Sequence, residues 1–206
     1  PSPAPVTHIL AQRLTPTIEE IHVAQAKRRP VNVTPSARRL TGSLRDIGYD
    51  FVAALADIVD NCVTAGSSTI EIETVFDGAD SYVLIADDGV GMTEAELVES
   101  LRFGSRREYE VGDLGRYGLG LKTASLSQGR RVTVVSRRAL KRRRLAAKSL
   151  DLDHIERTDR WQIIEPPIDS RYYRALEWLN DGPGTVVVWE KLDRVLPADR
   201  PDGGWA

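Results

Sequence analysis

The sequence predicts an α+β fold, a two-layer sandwich in which a mixed, mostly antiparallel sheet carries helices on one face. Three observations predict it. Residues 51–63 repeat apolar side chains at helical spacing. Two strand-like stretches, 69–76 and 82–86, are joined by the short turn Asp77-Gly78-Ala79-Asp80 and read as an antiparallel hairpin. The element order is helix, hairpin, helix, loop, helix and then three strands, which is not the alternation of parallel βαβ units.

Each element has a local reason. Residues 1–47 are rich in Pro, Arg and Thr and read as an arm that packs on the main domain or on a second subunit. Within it, Thr17 to Ala26 suits a short helix, with Thr17 as cap and Glu19 and Glu20 in the first turn, and a second helix begins at Ser36. Phe51, Val52, Leu55, Ile58, Val59, Cys62 and Val63 then line one face of a longer helix bounded by Gly48 and Gly66-Ser67-Ser68. Thr69 to Phe76 alternates as a strand, and Tyr82 to Ala86 is a second, more buried one. Thr93 caps a helix from Glu94 to about Leu101, with Glu96 at the capping-box position. A Gly-rich, charged stretch runs from Gly104 to Gly120 and leads into a helix ending near Leu126. The last three strands are expected at Val132–Ser136, Arg160–Ile164 and Thr185–Trp189. The start, Pro1-Ser2-Pro3-Ala4-Pro5, reads as processed, and 193–206 as a linker, so a fragment of a longer protein is expected.

Composition narrows the function classes. The chain has 206 residues, 41% apolar, which is ample for a core and argues against global disorder. No run of about 18 apolar residues exists to form a transmembrane helix, so no membrane partner is expected. The single cysteine, Cys62, excludes an internal disulfide framework. The net charge of −2 is a cancellation: nine basic residues between Arg130 and Lys148, uninterrupted by acid, offset an otherwise acidic chain. That block reads either as a solvated insertion or as a contact for nucleic-acid phosphates. It has no interleaved aromatic residues for base stacking.

Four segments carry candidate chemistry. Asp57 and Asn61 lie at i and i+4 and share a helix face; alone, they are a solvated polar face or a pair able to hold a water beside a metal-bound phosphate. Asp87-Asp88-Gly89-Val90-Gly91-Met92 ends a buried strand; it is an Asp/Gly turn, or a carboxylate placed to accept from an exocyclic amine. Gly115, Gly118 and Gly120 open a helix that carries Lys122, and helix starts bind anions. This is neither the Walker nor the Rossmann pattern, since a polar loop and not a strand precedes it. Thr185, after Asp181-Gly182-Pro183-Gly184, starts a buried strand and taken alone is a strand residue.

In this order and spacing the four segments, within about residues 45 to 192, resemble the GHKL (Bergerat-fold) ATPases: gyrase B-type topoisomerases, the heat-shock chaperone, histidine kinases, MutL and MORC proteins. The stretches Leu101-Arg102-Phe103-Gly104-Ser105 and Gly118 to Ser125 are most similar to the MORC branch. The resemblance implies an ATP-binding domain at 48–192 with ATP and Mg²⁺ as ligands. It implies Asn61 as the Mg²⁺ residue, Asp57 as the water-activating acid, and Asp87 at the adenine amine. Gly89, Gly91 and Met92 would border the base. Gly115, Gly118, Leu119, Gly120, Leu121 and Lys122 would hold the phosphates, and Thr185 would support Asp87 and adenine. It further implies slow hydrolysis, a lid at about Arg102 to Tyr117, an ATP-dependent homodimer reached by the 1–47 arm, and a DNA-related role. A cytoplasmic setting, or a nucleoid or nuclear one for a DNA-associated protein, goes with it. Two positions depart from the family. Asp57 stands where Glu is usual, so a nucleotide sensor without turnover is the rival reading, and Thr64 stands where many relatives carry Asp.

Overall fold

The computed structural model describes residues 31–46, 49–104, 120–138, 144–180 and 182–195. The predicted helix at 17–26, most of the predicted lid and the linker after Val195 lie outside them. The chain divides into two units, Pro1–Thr34 and Pro35–Ala206. Of the first, residues 31–34 are described; there the Thr34 N–H and hydroxyl donate to Asn32 Oδ1 at 3.0 and 2.6 Å.

The second unit begins with helix α1 (Ala37–Arg45), N-capped by Ser36, and α2 (Phe51–Thr64), capped by Asp50. Strands β1 (Ile70–Val75) and β2 (Tyr82–Asp87) follow as the predicted hairpin, then α3 (Glu94–Ser100) with the Thr93/Glu96 capping box. Next come α4 (Gly120–Gln128), β3 (Arg131–Arg137), β4 (Leu145–Asp151), α5 (Leu152–Thr158), α6 (Ser170–Leu179) and β5 (Gly184–Glu190). The sheet order is β1-β2-β5-β3-β4, and every pairing is antiparallel. The α+β sandwich is as the sequence predicts, with the fully buried β5 as its central strand.

Two expectations are corrected. Arg160–Ile164 is not a strand; it makes one antiparallel bridge, Ile164 to Ser149, because Pro166 and Pro167 lack the N–H groups needed to continue the ladder. The strand beside β3 is instead Leu145–Asp151, hidden in the basic block behind residues with weak strand preference. Helices α5 and α6 are also additions to the predicted order. Asp151 and Asp169 start them by accepting from backbone N–H groups of their first turns.

The register sorts the core into two layers. Val83 and Ile85 of β2, Val187 and Trp189 of β5, and Val132 and Val134 of β3 pack against Ala54, Ile58 and Cys62 of α2, Leu97 of α3 and Ala124 of α4. Trp189 sits at the centre of that layer, donating its indole N–H to Ser125 Oγ at 2.8 Å and meeting Phe51 edge-on at 6.0 Å. On the reverse face Leu84, Ala86, Val135, Val186 and Val188 are covered by Ala175 and Leu179 of α6, so one helix departs from the one-sided arrangement. Buried Glu190 anchors it there, accepting from Thr133 Oγ1 at 2.6 Å and pairing with Arg171 at 3.4 Å.

Side chains alternate across a strand, so the same register that buries Val187 and Val134 places Asp87, Thr185 and Ser136 in one row on the helix-covered face. This row closes the apolar layer at the ends of three adjacent strands. Replacing Trp189 with Ala removes the largest side chain of the layer and leaves Ser125 without its indole partner. It should destabilise the fold by about 3–5 kcal/mol, read as a fall in the urea midpoint at unchanged m-value.

Candidate functional site

Asp87 is the anchor of the site. The apolar run of β2 carries it into the sheet, where it is 4% exposed. Its Oδ1 accepts from the Gly89 N–H at 2.9 Å, and the Thr185 backbone N–H and the Cys62 thiol supply further donors. Burial pushes its carboxyl above the usual carboxylate range, and these donors oppose the shift. The thiol of Cys62 is driven up to about 12, by burial first and by the Asp87 charge second. Asp88, the next residue, points to the opposite side of the strand end. It accepts from the Ser68 hydroxyl at 2.6 Å and from the Ser68 and Thr69 N–H groups at 2.7 and 2.9 Å, which bring it down to about 2. Of the two neighbouring carboxylates one is a buried acceptor and the other a loop fastener.

Backbone packing around Asp87 demands glycine at two places. Gly91 has φ +64, and a Cβ there would lie 1.9 Å from the Arg137 carbonyl oxygen. Gly184 has φ +146, and a Cβ would lie 2.1 Å from the Asp87 carbonyl oxygen. The loop after Asp87 is fastened by Val90 N–H to the Ala65 carbonyl at 3.0 Å and by Met92 N–H to Ser136 Oγ at 2.7 Å. Ser136 also donates to the Gly184 carbonyl at 2.9 Å and contacts Thr185 Oγ1 at 2.9 Å.

Helix α2 brings the other acid alongside. Cys62 faces Asp87, and one residue earlier Asn61 is exposed on the adjoining face. The Asn61 side-chain N–H donates to its own helix at the Asp57 carbonyl, 2.8 Å, which leaves its amide oxygen for a ligand. Asp57, half-buried, receives the Tyr49 hydroxyl, and this bond is the first cause of the raised Tyr49 pKa. The Asp57 Oδ2 lies 3.7 Å from where a Cβ on Gly120 would be, so the start of α4 meets α2 at this carboxylate. Asp60 is exposed, and Thr64 donates its hydroxyl to the Asp60 carbonyl at 2.8 Å.

The structure therefore joins segments that are remote in sequence: Asp57 to Gly120, Cys62 to Asp87, Asp87 to Thr185, and Gly91 to Gly184. Met92 is half-buried over this row and Leu121 packs into the core. Gly115, Gly118 and Leu119 lie outside the described residues. Lys122 is 1% exposed and donates to the Ser100 carbonyl at 2.7 Å, which ties the first turn of α4 to the end of α3. Burial lowers its pKa to about 8, with Glu99 opposing the shift. Cys62, which the sequence places on the apolar face of α2, is buried there; Tyr49 and Ser136 were not singled out by the sequence, and their roles follow from helix phase and strand register.

The basic block is largely spent within the molecule. Arg130 bonds Asp153 and Glu156 at 2.8 and 2.7 Å, and Arg131 bonds Asp151 at 2.7 Å. Arg137 holds the Asn180 and Gly182 carbonyls before β5, while Arg138 holds the Gly91 carbonyl at 3.2 Å and Glu96 at 2.9 Å. Lys148 pairs with Glu165 and, at 3.2 Å, with Glu94. Among the described residues of the block Arg144 alone is left exposed; Lys141, Arg142 and Arg143 lie outside them.

Comparison with known proteins agrees with this arrangement. Residues 49–185 match the family model described as histidine kinase-, DNA gyrase B-, and HSP90-like ATPase. The chain is similar to ATPase morc-1 of Caenorhabditis elegans, 29% identical over 89 residues, covering 42% of this chain and 10% of that protein. It is similar to Protein MICRORCHIDIA 4 of Arabidopsis thaliana, 27% identical over 149 residues, covering 68% of this chain and 18% of that one. ATPase MORC2 of Homo sapiens is 35% identical over 82 residues, covering 37% and 8%. The chain thus spans less than a quarter of the length of these relatives.

The raised Asp87 pKa has a definite sign for stability. The folded carboxyl holds its proton more tightly than the unfolded one, so its contribution favours folding below the ordinary value of 3.8 and is lost as pH rises through the raised value. Asp87→Asn lacks this titration, so its melting temperature relative to wild type should rise between pH 3.8 and 7 and be independent of pH below 3.8. Thermal melts across that range check it.

Proposed function

The chain belongs to the histidine kinase-, DNA gyrase B- and HSP90-like ATPase family, and from that premise we propose that it binds ATP with Mg²⁺ at the Asp87–Asn61–Gly120 cluster and hydrolyses it slowly, as a nucleotide-driven switch. The observation that supports this reading best is the convergence itself. An acceptor row for a base (Asp87, Thr185), an amide oxygen for a cation (Asn61) and a carboxylate beside a helix start (Asp57, Gly120) are brought together by α2 and the sheet.

The residues present fit the two ligands. Asp87 offers a buried acceptor to an exocyclic amine, and glycine at 91 lets the backbone pass close beside it. Among the described residues no cluster of three acidic, His or Cys ligands exists. The cation is therefore read as phosphate-borne, with Asn61 as its protein oxygen, and it would neutralise phosphate charge. The N-terminus of α4 faces Asp57 and supplies N–H groups where phosphates would lie. In its phosphate role Lys122 exchanges the Ser100 carbonyl for a phosphate oxygen.

Asp57 orients or deprotonates the attacking water. Tyr49 holds this carboxylate from the side, which fixes its rotamer but takes up one of its acceptor sites. Asp is one methylene shorter than the Glu of many relatives, and a general base must come within roughly 3 Å of its water or act through a second one. Slow turnover follows from that gap. Loss of the γ-phosphate then releases the segment between α3 and α4, and ATP-dependent pairing of two chains through the 1–47 arm belongs to the same proposal.

Calorimetry with a non-hydrolysable ATP analogue, with and without Mg²⁺, and steady-state phosphate release test it together. Asp57→Ala should keep binding and lose about 10²-fold or more of the release rate, the scale of a general base. Asn61→Ala should lose the tightening by Mg²⁺. A wild type releasing no more phosphate than Asp57→Ala while still binding would make the protein a sensor and not an enzyme.

A further inference from the structure

Ser136 is 0% exposed and lies two strands away from Asp87, at the β3 end of the row Asp87–Thr185–Ser136. Three polar groups surround its hydroxyl: the Met92 N–H at 2.7 Å, the Gly184 carbonyl at 2.9 Å and the Thr185 hydroxyl at 2.9 Å. A serine hydroxyl has one proton and two lone pairs. Met92 N–H can only donate, so it takes one lone pair. The Gly184 carbonyl can only accept, so it takes the proton. The remaining lone pair must meet Thr185, and Thr185 must donate there. The opposite arrangement, Ser136 donating to Thr185, would set two oxygen lone pairs against each other at 2.9 Å between Ser136 and Gly184, in a site that admits no water to Ser136. Buried polar groups are seldom left in that state.

We infer that Ser136 fixes the proton direction of Thr185, so that Thr185 and Asp87 form an acceptor-only pair that selects a base bearing an exocyclic amine over one bearing an oxo group. The inference rests on the ATP reading and deepens it. With its proton given to Ser136, Thr185 keeps only lone pairs for a ligand or an intervening water. Asp87, already receiving Gly89 and Thr185 N–H groups, likewise offers an acceptor. Two acceptors answer an amine with its two N–H groups. An oxo oxygen brings lone pairs to lone pairs, and a site left with unpaired buried polar groups rejects such a ligand strongly. Ser136 does not itself reach the base. It is a positioning residue, and it also pins Met92, which follows Gly91, and Gly184 itself.

The test is the ratio of ATP to GTP affinity with Mg²⁺, measured by calorimetry on wild type and variants. Ser136→Ala releases the Thr185 proton, which can then be donated to an oxo group. The ratio should fall by about 10-fold or more, the worth of a hydrogen bond in a buried site, with GTP gaining as ATP loses. Ser136→Thr keeps the hydroxyl and should restore the wild-type ratio. A Ser136→Ala protein in which both nucleotides weaken equally, with the ratio unchanged, would show a merely structural serine and overturn the inference while leaving ATP binding intact. Wild type that binds neither nucleotide would overturn both readings. If Ser136→Ala does not fold, Thr185→Val serves: loss of ATP preference supports the proton arrangement, and retained preference overturns it.

Discussion

A carboxylate removed from water at the end of a strand has to be compensated by its surroundings. Much of this fold near the site is that compensation. Asp87 loses hydration because β2 is apolar along its whole length and lies between β1 and β5. An uncompensated charge in such a position would cost several kcal/mol, so donors must be delivered from several directions. They come from the following turn (Gly89), the neighbouring strand (Thr185) and the helix layer (Cys62). Each donor fixes an element: the turn must fold back, β5 must hold its register, and α2 must keep its phase over the sheet. The carboxylate that would recognise a base also locks these elements together.

The same economy explains the basic block. Loops that approach a ligand cannot be buried under apolar cover, so polar bonds must hold them. Arg138 reaches the Gly91 carbonyl and Glu96, joining the loop after β2 to the first turn of α3. Arg137 grips the turn before β5, two residues from Gly184. At the other end of β3, Arg130 and Arg131 join α5 and β4 through Asp151, Asp153 and Glu156. The strand that carries Ser136 is bracketed by arginines at both ends, and its charge serves its neighbours. Among the described residues, the basic run becomes, once β3 and β4 pair, a set of opposed internal bonds with Arg144 left exposed.

What could be read in the sequence follows from which signals are local. Helix α2 and the β1–β2 hairpin each carry their periodicity and their bounding or turn residues within one short contiguous stretch, and they appear where expected. The Thr93/Glu96 capping box is legible for the same reason. β4 was not, because Leu145-Ala146-Ala147-Lys148 has no strand preference of its own and is a strand only through pairing with β3. Arg160–Ile164 shows the converse: strong strand formers that find an edge and then leave it at two prolines. In the site, Asp57, Asn61, Asp87 and Thr185 were legible through the order of four segments. Cys62 was legible as a buried member of the apolar helix face but not as a partner of Asp87, and Ser136 and Tyr49 were not legible at all, since nothing local marks a serine in the middle of Val134-Val135-Ser136-Arg137 as a neighbour of Thr185. Only register does that.

The environments of the two acids suit them to different parts in the proposed function. Asp87 is enclosed, and its surroundings already use most of its acceptor capacity, so it suits a fixed hydrogen bond and cannot act as a mobile base. Asp57 is half-buried on α2, receives the Tyr49 phenol and borders Gly120 at the start of α4. A carboxylate that must meet a water and give up a proton needs to keep some exposure, as Asp57 does. It also needs reach, and there the shorter side chain works against it. Helix α2 cannot simply slide toward the phosphates to make up the difference. Cys62, on the same helix, is committed to Asp87, and Ile58 and Ala54 are committed to the sheet core. A displacement of α2 by a methylene's length would trade binding of the base for access to the water. On the proposed reading, the packing that would make a base pocket specific is the packing that would hold the Asp57 carboxylate back, and slow turnover would be the compromise of this architecture.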